Sequence, residues 1–118
     1  MPLSHKRAAL LAGAAFAVFL LLFAACDKQE LTPEQARVQK GRTLYTLRCA
    51  SCHHPADPRR DGSLGPAIAG SSRALIEARV LRAEYPPGYA PKRATRLMPK
   101  LTATPEELEA LHAFLNAP

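Results

Sequence analysis

The chain turns on five residues, Cys49-Ala50-Ser51-Cys52-His53. C-x-x-C-H is the spacing at which haem is attached covalently to a polypeptide. Two cysteines three apart on a helical turn reach the two vinyl groups on one edge of a porphyrin and form thioethers. The adjacent histidine then offers its ring to the iron. Two other readings compete. A disulfide redox site of the thioredoxin type would sit in a βαβ context, and the flanking sequence has no strand pattern. A structural zinc site needs four ligands, and the chain has no second cysteine pair.

Outward from the motif, the periodicity is helical. Thr32, Pro33 and Gln35 form an N-terminal cap signature, predicting a first helix that runs to about Arg48. After the motif comes a loop punctuated by Pro55, Pro58, Gly62, Gly65, Pro66 and Gly70. Ser72 can cap a second helix reaching about Ala83, with Leu75, Ile76, Val80 and Ala83 at helical spacing. Tyr85-Pro86-Pro87-Gly88-Tyr89 cannot be helix interior and reads as an ordered loop. Thr104, Pro105 and Glu107 form a second capping signature, and Leu108, Leu111 and Leu115 make the buried stripe of a last helix. The expected domain is all-α, with loops long enough to need something rigid to pack on.

Of the 118 residues, 16 are Lys or Arg and 10 are Asp or Glu. One small domain fits that length. After position 25 there is no Trp and a single Phe, Phe114, so help for the core from a bound group is expected. Lys6 and Arg7 precede a run from Ala8 to Ala25 without a polar side chain, the pattern of an export signal or of an N-terminal membrane anchor. Phe23-Ala24-Ala25-Cys26 resembles the lipobox of bacterial lipoproteins, with Phe23 where that family usually has Leu. The resemblance implies that Cys26 is acylated and becomes the mature N-terminus. It also gives the odd cysteine a use. Residues 1–25 are therefore expected to be a signal peptide or anchor, 26–34 a tether and 35–118 the functional domain. That domain would lie on the periplasmic side of the inner membrane.

From about residue 35 onward the chain resembles class I cytochromes c. Gly41 and Tyr45 precede Cys49 as the small residue and the aromatic do on that family's first helix. Gly65-Pro66-Ala67-Ile68-Ala69-Gly70 is similar to its G-P-x-L-x-G stretch, and Met98-Pro99 to its distal ligand and following proline. Leu111-His112-Ala113-Phe114-Leu115 is similar to the last helix, which crosses the first. The resemblance implies a cytochrome c fold, three main helices and long loops wrapped around one covalently bound haem c. Cys49 and Cys52 would attach it, and His53 and Met98 would be the axial ligands. The Pro66 carbonyl would accept the proximal imidazole N–H. Met98 is also the one methionine besides Met1. His54 is too close to His53 to cross a porphyrin, and His112 is expected at the edge of the last helix.

Leu64, Ile68, Leu75, Leu97 and Leu101 are candidate walls of the haem pocket. Arg79, Arg82, Lys92, Arg93 and Tyr89 are candidate partners of its propionates. Between Arg37 and Lys100 thirteen basic residues face four acidic ones, while the last helix is acidic through Glu106, Glu107 and Glu109. A basic middle suits docking to acidic redox proteins, a donor and an acceptor such as a membrane respiratory complex. Nucleic acid is not an expected partner of an exported haem domain. The expected function is one-electron transfer, because the His/Met ligation that the resemblance implies closes both axial positions and leaves no open site for substrate; the sequence agrees, offering no carboxylate pair or histidine-activated nucleophile.

Overall fold

A computed structural model describes residues 30–118. The apolar run at the N-terminus and Cys26, where acylation is expected, lie outside the described residues. Among the described residues there is no strand, and no helix is long and apolar enough to cross a membrane.

Helix α1 spans Pro33–Arg48. Its start is fixed twice over: the Thr32 side chain accepts the Gln35 N–H, and the Gln35 side chain accepts the Thr32 N–H. Helix α2, Arg73–Glu77, is capped by Ser72. It passes directly into a π-helical turn, Ala78–Arg82. Helix α3, Pro105–Leu115, carries the second reciprocal box, between Thr104 and Glu107.

The second helix departs from expectation. The sequence spacing predicts regular α-helix to Ala83, but the winding widens after Glu77 and Ala83 ends it in the left-handed region, at φ 56°. Val80 still packs into the core, while Ala83 leaves the apolar stripe. The Val80 carbonyl accepts the Leu101 N–H at 2.7 Å, so this turn anchors the loop that follows it.

The core lies where α1 and α3 cross. Leu44 and Tyr45 from α1 meet Leu108, Ala110, Leu111, Phe114 and Leu115 from α3, and Ile76 and Val80 close one side. Gly41 sits at the crossing, where a Cβ would collide with the Ala110 carbonyl oxygen. The Tyr45 and Phe114 rings pack beside it, tilted at 53° with centroids 5.4 Å apart. Arg48 also bridges the two helices, donating to the Thr102 carbonyl and pairing with Glu107 at 3.3 Å. The crossing fixes the end of α1 in space, and the cysteine motif begins there.

Candidate functional site

The backbone keeps turning through the motif instead of stopping at the helix end. Cys49 and Ala50 N–H groups both bond to the Tyr45 carbonyl, and Cys52 and His53 N–H groups both bond to the Cys49 carbonyl. Both thiols and the imidazole thus hang from one compact turn. Tyr45 ties this turn from below, its hydroxyl donating to the His54 carbonyl. Burial raises the Tyr45 phenol above its ordinary value, with smaller contributions from Cys49 and Asp57. Burial likewise pushes the Cys49 thiol up to about 11, against the opposing effect of Arg48, so that thiol is protonated at neutral pH.

The loop after the motif folds back over His53. Leu64 and Gly65 N–H groups bond to the Cys52 carbonyl at 3.1 and 2.9 Å. The His53 Nδ1 lies 2.8 Å from the Pro66 carbonyl oxygen, which can only accept, so Nδ1 carries the proton and donates. Nε2 is then the nitrogen with a free lone pair. Two glycines permit this approach. A Cβ at Gly65 would meet three atoms of the His53 ring, and one at Gly62 would meet the Cys52 carbonyl and the His53 backbone. Asp61 steadies the same loop by accepting the Ala67 N–H at 2.7 Å. That hydrogen bond, with Arg93 beside it, holds the Asp61 carboxyl below the usual range.

His53 is buried, and it faces a cavity of about 250 Å³ that Cys49, Cys52, Met98 and Pro66 also line. Leu64, Ile68, Leu75, Leu97 and Leu101 all contribute walls, with Leu64 and Leu97 exposed at the rim. Arg79, Tyr89, Lys92 and Arg93 reach the cavity as well. Arg82 does not line it: it sits between two carboxylates, Glu77 at 3.7 Å and Glu84 at 3.6 Å. His54 spends its Nδ1 on the Ala56 and Asp57 N–H groups, and neither it nor His112 lines the cavity.

Two contributors, Tyr85 and Asp61, had no sequence signal strong enough to single them out. Tyr85 stacks on Tyr89 at 5.4 Å and 9°, with the Arg79 guanidinium 4.3 Å from its ring centroid. Asp61 pairs with Arg93 at 3.1 Å across 32 residues of chain. The Pro-Pro-Gly run marks a turn at Tyr85–Tyr89, but no spacing rule pairs Asp61 with Arg93.

The donor set fits a porphyrin-bound iron. Two thiols share one turn, an imidazole has its second nitrogen fixed, and a thioether sulfur comes from a distant segment, all around one mainly apolar cavity. Among the described residues no group of three or more His, Cys, Asp or Glu side chains is placed to hold a bare metal ion. No curated protein and no solved structure matches the chain. The sequence pattern of the family described as Cytochrome c matches residues 38–117. That stretch takes in most of the first helix, the cysteine motif and the last helix packed back on the first, so the chain belongs to the cytochrome c family, whose domain binds covalently attached haem c and transfers electrons through it.

Proposed function

We propose that the protein is a class I, His/Met-ligated cytochrome c, a one-electron carrier tethered on the periplasmic side of the bacterial inner membrane. Cys49 and Cys52 hold the haem, His53 Nε2 and the Met98 sulfur are its axial ligands, and Cys26 carries the lipid anchor. The observation that carries this reading is the His53–Pro66 hydrogen bond at 2.8 Å beside a cavity that Met98 also lines.

The bound haem supplies a one-electron couple at iron, and His/Met ligation raises its potential. The protein's part is to hold geometry. Pro66 fixes the imidazole tautomer and ring direction, and Gly65 lets the loop press on the ring face. The apolar walls keep water away, so the change of one charge meets little solvent reorganisation. No side chain needs to move a proton.

Replacing Met98 tests the ligation. Wild-type Fe(II) protein should bind carbon monoxide slowly or not at all, whereas Met98→Ala should bind it readily and have a lower reduction potential. Rapid binding by the wild type, with a spectrum unchanged in Met98→Ala, would put a sensor or peroxidase role ahead of electron transfer. For the tether, labelled fatty acid should enter the wild type and not Cys26→Ser. Membrane binding without label would favour an uncleaved anchor. The basic stretch from Arg37 to Lys100 favours acidic faces on the donor and acceptor, and the proposed partners are proteins and membrane, not nucleic acid.

A further inference from the structure

Met98 lies in a long segment without helix or strand, between the π-helical turn and α3. At one end the Glu84 N–H bonds to the Ala78 carbonyl, and at the other the Leu101 N–H bonds to the Val80 carbonyl. Between these points, two side chains tie the segment to another part of the fold. Lys92 Nζ donates to the Ala67 carbonyl at 2.7 Å. Arg93 Nη1 donates to the Leu64 carbonyl at 3.1 Å, and its Nη2 pairs with the Asp61 carboxylate at 3.1 Å. All three acceptors belong to the loop whose Pro66 carbonyl holds His53. Asp61 is fixed in advance, because one of its oxygens is taken by the Ala67 N–H.

We propose that Lys92 and Arg93 form a clasp, with Arg93 as its principal positioning residue, that keeps Met98 at the iron. The clasp joins the loop that orients one axial ligand to the segment that carries the other. It rests on the His53/Met98 ligation proposed above. A half-exposed ion pair is a weak source of stability in its own right. Here the same contact shortens a free loop. With the clasp made, the unanchored stretch around Met98 runs over residues 94–100; without it, over residues 90–100, because Tyr85 and Tyr89 stay stacked under Arg79. The probability of holding a loop closed falls roughly as the 3/2 power of its length, so losing the clasp makes departure of the sulfur roughly twofold more frequent.

Imidazole titrated into the oxidised, haem-loaded protein reads this directly. It binds only the fraction of molecules in which Met98 has left, so its apparent affinity follows that fraction. Lys92→Ala/Arg93→Ala should bind imidazole roughly twofold more tightly than the wild type. Arg93→Lys, which keeps the charge and one donor, should recover most of the wild-type value. In a Met98→Ala background the clasp substitutions should leave imidazole affinity unchanged, because no sulfur remains to be displaced. Amide hydrogen exchange should quicken over residues 94–100 and stay unchanged in α1 and α3. Wild-type affinity in the double variant overturns the proposal, as does an equal change in the Met98→Ala background. If wild-type protein already binds imidazole as tightly as Met98→Ala, the ligation reading itself falls, and the clasp's role with it.

Discussion

A single added methyl group at position 41 would decide between two effects of opposite sign. In an isolated helix Ala is favoured over Gly by about 1 kcal/mol. At the α1–α3 crossing that methyl group would run into the Ala110 carbonyl, a backbone atom with little freedom to move. Overpacking typically costs ~1–3 kcal/mol, and a backbone neighbour puts the cost at the upper end. Gly41→Ala should therefore lose about 1–2 kcal/mol net, seen as a lower urea midpoint of the haem-loaded protein at unchanged slope. A gain in stability would mean that the helices can part without cost. Gly41 was legible in the sequence because a glycine inside a helix needs a reason. Asp61 was not, nor was its pairing with Arg93: Asp61 is an ordinary surface charge until the fold brings the two together.

Whole elements were legible where local chemistry decides them. Both reciprocal capping boxes start helices at the residues their sequences indicate, since the bonds involved span only three residues. The end of the second helix was not: after Glu77 the winding widens, and the Val80 carbonyl takes its hydrogen bond from a distant partner, the Leu101 N–H. Propensity carries no record of that partner. Ala83 terminates this turn with φ 56°, and the left-handed region costs an L-residue roughly 1–2 kcal/mol. Glycine removes that cost but loosens the unfolded chain by about 0.4–1 kcal/mol. Ala83→Gly should thus stabilise the haem-loaded protein by about 0.5–1 kcal/mol in a denaturant titration, and a lower midpoint would contradict the strain.

For the molecule as a whole, the fold cannot be separated from its cofactor. A cavity of about 250 Å³ is lined by residues from the motif, the loops and all three helices. Left unfilled, these mainly apolar walls would face water, forfeiting burial that a domain this small needs for its marginal stability. Cys49→Ser/Cys52→Ser should prevent attachment and leave a chain without cooperative thermal unfolding by circular dichroism. A well-folded double variant would show that the protein core suffices. The all-α class and the motif could be read from sequence because they are local. The fit of the cavity could not, because its walls come from Tyr45 to Leu115 and meet only in three dimensions. The crossing at Gly41 and Ala110 also has a kinetic consequence. It joins the two ends of the domain, whereas His53 and Pro66 are close neighbours in the chain. Loop-closure entropy grows with the logarithm of separation, so bringing α1 to α3 costs about 1.5 kcal/mol more than closing the His53 loop. Yet most of the buried apolar surface is gained only at that crossing. The expected slow step of folding is therefore the long-range meeting of α1 and α3, and in stopped-flow refolding of the haem-loaded protein substitutions in the crossing should change the folding rate while those in the His53 loop leave it nearly untouched.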